Sequence, residues 1–325
     1  MTINSATVFN DLLLSYSLFT LAKLDLLDDL EMGLSISGMV IAHHLDEKRL
    51  KQILLITTAT GATTLRDDRY YLTELGVELK THIGFLIWAI GGYSPLLENM
   101  DQYLANPQTD WHNHVRGNYV AIGSDEAHRR IMAKPIARIL DSLPATCVAD
   151  LGCGNAGRLA ELLIRRPQLS GIGIDIDPGA ITAAQHERAK HRLENRLELI
   201  TENVFTTISE PHPELAKADL VMSYMMLHDL FNMPELDDNL FLKLRQSFPN
   251  AKYFVLADTC QVEHSDTGNQ YPMFTLGFEL VHAMRGIKTF PLAYYEQRFA
   301  RSGLELIDRQ ALGVPNTYMF VLRAS

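Results

Sequence analysis

The stretch VADLGCGNAGRLAELL, residues 148–163, joins an apolar run, a glycine-rich turn and the start of a helical repeat. Gly152, Gly154 and Gly157 fit the spacing G-x-G-x-x-G, which brings backbone close to a bound group at the end of a parallel strand. Dinucleotide sites share that spacing, so the glycines alone do not choose a ligand. Asp150, two residues before the first glycine, does more. A carboxylate there repels a pyrophosphate and attracts an ammonium group. Asp175 ends the next apolar run, SGIGIDID, and a strand-end acid of this kind accepts hydrogen bonds from both hydroxyls of a ribose.

Working outward, strand-like and helix-like segments alternate. TCVADLG, SGIGIDID, RLELITENVF, ADLVMSYMML and NAKYFVLADT read as strands, with GRLAELLIRR and GAITAAQHERAKHRL as helices between the first three. LELIDRQAL and NTYMFVLRA form a paired tail. Alternation of this kind predicts an α/β fold with a parallel sheet covered on both faces. DEAHRRIMAKPIARILDSL reads as one bridging helix ahead of it.

Upstream, residues 1–115 read as a separate helical domain, and 116–325 as the sheet domain. FNDLLLSYSLFTLAKLDLLDDL has apolar residues at three- and four-residue spacing, DEKRLKQILLITTATG is a further helix, and ATTLRDDRYYLTELG reads as two short strands around an Asp-Asp turn. Helices followed by a small β-wing suggest a winged helix, which invites a DNA-binding reading. Across residues 43–83, however, Lys48, Arg49, Lys51, Arg66, Arg69 and Lys80 are balanced by Asp46, Glu47, Asp67, Asp68, Glu74 and Glu78, so no phosphate-binding footprint exists. A dimerisation and substrate-covering role is the expectation instead.

Composition agrees. The 325 residues are 47% hydrophobic and 21% charged, with a formal net charge of −10, which disfavours nucleic-acid partners. Cys147, Cys153 and Cys260 make no CxxC pair, so neither a zinc-thiolate site nor a disulfide framework is expected, and a cytoplasmic location fits. The opening residues lack a basic segment and carry Asp11, Asp25, Asp28 and Asp29, which argues against a signal peptide or membrane anchor.

DLGCGNAG followed by GIDID resembles the class I S-adenosylmethionine-dependent methyltransferases over residues 116–325. The resemblance implies a Rossmann-like sheet, with Asp150, Gly152 and Gly154 around the methionine moiety and Asp175 on the ribose. It puts Ile176 against the adenine and Asn203 and Val204 of TENVF beside it; many relatives carry Asp where Asn203 stands. A helical, winged-helix-like domain ahead of that fold resembles the small-molecule O-methyltransferase family of plants and bacteria, which implies a homodimer acting on a small molecule. In that family the fourth strand ends in LHD, here Leu227–Asp229, whose histidine often serves as general base; Asp229 is counted with it.

Three roles compete for His228 in VMSYMMLHDLFNMP, residues 221–234: proton acceptor, metal ligand, or a structural residue at the start of a helix. An imidazole near neutral pKa suits proton abstraction from a substrate hydroxyl. The metal role gains from FTLGFELVHAMRG, where His282 lies on a probable helix with Glu279 three residues before it. This histidine pair, with VRGNYVAIGS upstream, resembles the metal-containing 2-oxo acid C-methyltransferases. That resemblance implies iron or zinc on His228 and His282, a substrate chelated through its oxo and carboxylate oxygens, and Arg116 on the carboxylate. His264 is a further ligand candidate, and Met222, Met225, Met226, Met273, Phe274 and Phe278 are candidate lining. Glu279 raises the option of a cationic substrate group. C-methylation of a 2-oxo acid at C3 is therefore the first expectation and metal-free O-methylation the second. A winged-helix regulator sensing S-adenosylmethionine would need a basic recognition helix, which the sequence lacks.

Overall fold

The computed structural model describes residues 4–236, 239–262 and 274–324. The chain divides into two compact units, residues 1–131 and 132–325.

The first unit opens with α1 (Ser5–Lys23), α2 (Leu26–Met32), α3 (Ile36–His43) and α4 (Glu47–Ala59). The long apolar repeat expected as one helix breaks where Asp25 turns left-handed at φ 56°. Asn4, Ser35 and Asp46 cap α1, α3 and α4 by accepting backbone N–H bonds, which explains where these helices begin. β1 (Thr63–Arg66) and β2 (Arg69–Leu72) form the expected antiparallel hairpin. Its two turn residues, Asp67 and Asp68, both have positive φ, which matches the right-handed twist of a tight hairpin. Leu34 bridges to Tyr70 beside it. Then follow α5 (Glu74–Thr81), α6 (Ile83–Leu86), a π-helical stretch Ile87–Gly92, α7 (Tyr93–Glu98), α8 (Met100–Ala105) and α9 (Gly117–Ala127).

Helix α9, placed with the sheet domain in the sequence reading, packs in the first unit, so the units divide after residue 131 and not after 115. The reason is steric. A Cβ on Gly123 would lie 2.5 Å from the backbone N of Trp88, and one on Gly84 would lie 2.5 Å from the backbone O of Gly123. The absence of a Cβ at both positions lets these helices touch backbone to backbone. The predicted bridging helix is also interrupted: α9 passes through a π-helical turn, His128–Met132, before α10 (Ala133–Ser142). Pro135 has no N–H for the carbonyl four residues back, and the ladder widens ahead of it. Pro95 stands in the same relation to Ile87–Gly92.

The second unit carries β3 (Cys147–Leu151), α11 (Gly157–Arg165), β4 (Ser170–Asp175), α12 (Pro178–Lys190), β5 (Leu197–Thr201), α13 (Val204–Ser209), β6 (Leu220–Tyr224), α14 (Leu227–Phe231), α15 (Leu240–Ser247), β7 (Tyr253–Thr259), α16 (Thr275–Met284), α17 (Leu292–Arg301), β8 (Leu304–Ala311) and β9 (Thr317–Ala324). The seven strands lie in the order β5-β4-β3-β6-β7-β9-β8. The first five are parallel, and β9 runs antiparallel between β7 and β8. β3 and β6 are buried at every residue, as strands covered on both faces must be, whereas the edge strand β8 alternates with solvent. Phe254, Phe320, Leu244 and Phe241 lie in the core beside them, each contributing about 1.5–3 kcal/mol by leaving water. No helix among the described residues is long and apolar enough to cross a membrane.

Candidate active site

Connections from β3 lead to β4 on one side and, later in the chain, from β5 to β6 on the other. Strand order reverses there, so the carboxyl ends of β3, β4 and β6 border a crevice, the usual ligand position in such sheets. The glycine turn lines it. Gly152 and Gly154 have φ of 72° and 57°, and a Cβ on Gly152 would lie 3.1 Å from Met226 Sδ. Asp175 secures the turn: its Oδ2 accepts the Gly154 N–H at 2.8 Å and its Oδ1 the Asp177 N–H at 2.9 Å. Beside it the apolar side chain of Ile176 is 63% exposed, although it neighbours a buried strand. Asn203 caps α13, accepting the Phe205 N–H at 2.9 Å, and Val204 is buried behind it. Asp150 is fully buried, and neither carboxylate oxygen has a hydrogen-bond partner among the described residues. Burial lifts its pKa to about 6, opposed by Arg158 and assisted by Asp175. An uncompensated carboxylate is costly unless a cation joins it.

A second cluster surrounds the start of α14. Asp258, at the end of β7 and fully buried, accepts the His228 backbone N–H at 2.8 Å and the His228 Nδ1–H at 2.8 Å. It also accepts the Tyr295 hydroxyl at 3.0 Å and the Thr259 N–H at 2.9 Å. The carboxylate accepts only, so the ring proton sits on Nδ1 and Nε2 is the outward nitrogen, 3.5 Å from Asp229 Oδ2. The His282 ring stands perpendicular to that of His228, with centroids 4.7 Å apart. Its Nδ1–H donates to the Phe278 carbonyl at 2.7 Å, which again leaves Nε2 without a proton. Phe278 closes one side, 4.0 Å from the His282 ring and 5.1 Å from that of His228. The two imidazoles are opposites electrically. Burial and the neighbouring His228 push the His282 pKa down to about 3. Burial also works against charge on His228, but the charge and hydrogen bond of Asp258 outweigh it and raise the pKa.

Comparison with known proteins places the chain among methyltransferases. A methyltransferase-domain family model matches residues 143–276. The indolepyruvate C-methyltransferase of Streptomyces griseus is 28% identical over 84% of this chain and 80% of its own length. A methyltransferase of Aspergillus campestris is 29% identical over 69% of this chain and 68% of its own. A solved O-methyltransferase family protein from Burkholderia thailandensis shares the fold over 100% of this chain and 99% of its own, with TM-score 0.68 at 18% identity. The chain carries a methyltransferase domain, and its relatives support an S-adenosylmethionine-dependent methyltransferase.

The methyltransferase fold brings Asp150, Gly152, Gly154 and Asp175 to one crevice and sets His228 against His282. The predicted structural role for His228 takes an unexpected form. Its ring caps nothing; Asp258 instead receives the His228 N–H in the first turn of α14. Asp258 and Tyr295 were missed, although an acid closing the apolar run of β7 was a visible signal. Met222 is fully buried in β6 and belongs to the core, whereas Phe278 touches both histidines. Glu279 accepts the Val262 N–H at 2.7 Å and turns to a separate cleft of about 590 Å³ with Gln261, Leu280 and Lys288. Arg116 is exposed at the start of α9 in the first unit. His264 and Met273 lie outside the described residues.

Proposed function

We propose that this methyltransferase methylates C3 of a 2-oxo acid with an apolar or aromatic side chain. The carrying observation is the perpendicular His228–His282 pair, in which both Nδ1 atoms are engaged and both Nε2 atoms are left for a ligand. The similarity to an indolepyruvate C-methyltransferase supports the substrate class.

The resemblance to 2-oxo acid C-methyltransferases implies a metal, and the residues fit one. Histidine ligands normally donate the other ring N–H to a carboxylate or carbonyl, as Asp258 and Phe278 O provide here. The depressed pKa of His282 keeps it in the neutral, ligating form. Among the described residues no group of three or more His, Cys, Asp or Glu side chains is arranged for a metal, so a metal here would be held by the two histidines. Iron or zinc, when bound, supplies Lewis acidity that makes the C3 proton of a 2-oxo acid easier to remove. The protein contributes orientation. Asp258 and Tyr295 hold the His228 ring, Phe278 walls the cleft, and Asp150, Gly152, Gly154, Asp175, Ile176, Asn203 and Val204 hold the cofactor. With its proton passed to solvent, C3 would take the sulfonium methyl in line as the C–S bond breaks, releasing S-adenosylhomocysteine. Asp229 Oδ2, 3.5 Å from His228 Nε2, would add negative charge beside a metal held there.

One observation favours a second reading. The buried Asp258–His228 pair with its raised proton affinity is suited to general-base chemistry, which would make the enzyme a metal-free O-methyltransferase. Single alanine changes at His228 and His282 separate the two. Under the first reading each lowers bound metal and abolishes turnover of 2-oxo acids, the losses do not add, and cofactor binding survives. Normal turnover in His282→Ala with no metal would contradict it.

We further propose that the first unit is a winged-helix-like dimerisation domain and that α1 pairs with a second copy of the chain.

A further inference from the structure

Two charges of opposite sign lie side by side at the glycine turn, and neither is satisfied. Asp150 has no hydrogen bond to either oxygen, and Arg158, in the first turn of α11, has a buried Nε without a partner among the described residues. Their nearest atoms, Arg158 Nη2 and Asp150 Oδ2, are 3.9 Å apart, beyond hydrogen-bond reach. The guanidinium carbon sits 4.0 Å over the Tyr224 ring, which holds the arginine in place without using its N–H groups. A buried ion pair offsets its desolvation only when it is well hydrogen-bonded, and this one is held apart. A cation at the N-terminal end of a helix is also disfavoured by the helix dipole. As a purely structural contact the arrangement is poor on three counts.

We propose that Arg158 binds the α-carboxylate of the methionine moiety while Asp150 binds its α-ammonium, so that the pair reads the cofactor's amino-acid zwitterion. An ammonium supplies donors to the two empty acceptors on Asp150, and a carboxylate supplies acceptors to the guanidinium. The first-turn amides of α11 add to the attraction for the carboxylate. The inference rests on the reading of Asp150 as part of the cofactor site and adds a residue to it. It also makes a selectivity statement: the crevice prefers cofactors that retain the carboxylate over decarboxylated ones.

The test compares S-adenosylhomocysteine with its decarboxylated analogue by titration calorimetry at pH 8, where Asp150 is ionised. The wild-type enzyme should bind the carboxylate-bearing ligand about 10- to 100-fold more tightly, the range of a charge-assisted contact. Arg158→Ala should erase that preference while binding the analogue about as well as wild type does, and Arg158→Lys should retain part of it. An undiminished preference in Arg158→Ala, or an equal loss for both ligands, overturns the proposal; the second result is what a mere strut on Tyr224 would give. If the alanine variant does not fold, Arg158→Gln, which keeps a planar group over Tyr224, carries the same ratio. Failure of wild type to bind S-adenosylhomocysteine at all would overturn the cofactor-site reading itself, and is distinguishable from a failure of Arg158 alone.

Discussion

At the residue scale the proposed reaction centre turns on Asp258. Four donors converge on this buried carboxylate, and two of them belong to His228. Burial alone would leave the ring less basic, yet the Asp258 charge raises its pKa above the ordinary 6.5. Both a base and a metal ligand need Nε2 free of a proton, so activity should rise as pH climbs through that raised value. Asp258→Asn keeps the shape and removes the charge. The acid limb of its kcat profile should move to lower pH, together with a fall in kcat; an unmoved limb would contradict the assignment. Stability follows the same sign. The contribution of a raised histidine pKa is fully present below about pH 6.5 and is lost as pH rises through the folded value, so the asparagine variant should lose most on the acid side. His228 was legible because it ends an apolar run at a sheet's carboxyl edge. Asp258 was not paired with it, because the two are joined only by the β6–β7 register, which no local pattern reports.

At the scale of elements, the legible parts were those with strong periodicity or turn chemistry. The Asp-Asp hairpin and the glycine turn of β3–α11 carry their backbone demands in their residues. The α9–α10 connection did not, because its apolar repeat runs through Pro135 while the ladder widens ahead of it. The Gly84–Gly123 crossing was equally hidden, since a glycine inside a helix shows no partner. It provides a direct check. A Cβ at Gly123 would meet backbone, not a flexible side-chain end, so Gly123→Ala should destabilise the first unit by roughly 1–3 kcal/mol. Chemical denaturation followed on Trp88, which lies at the contact, would measure it, and an unchanged midpoint would refute the tight crossing.

At the scale of the molecule, the α/β class and the antiparallel end of the sheet were legible from the order of segments, while the exact division between units depended on packing. Helix α1 keeps an apolar face in solvent, with Val8, Phe9, Leu12 and Tyr16 all more than two-fifths exposed. Faces like this usually mark an interface. Sedimentation of the full chain should therefore give a dimer, and Phe9→Glu with Leu12→Glu should dissociate it; a wild-type monomer at micromolar concentration would contradict the pairing. The chemistry is tested most directly by where the methyl group goes. With S-adenosylmethionine carrying a ¹³C methyl, the enzyme should label C3 of indolepyruvate or phenylpyruvate in the product's NMR spectrum, lose that activity on chelation and regain it with iron or zinc. Untouched 2-oxo acids, with chelated enzyme placing the label in full on a phenol oxygen, would contradict the account.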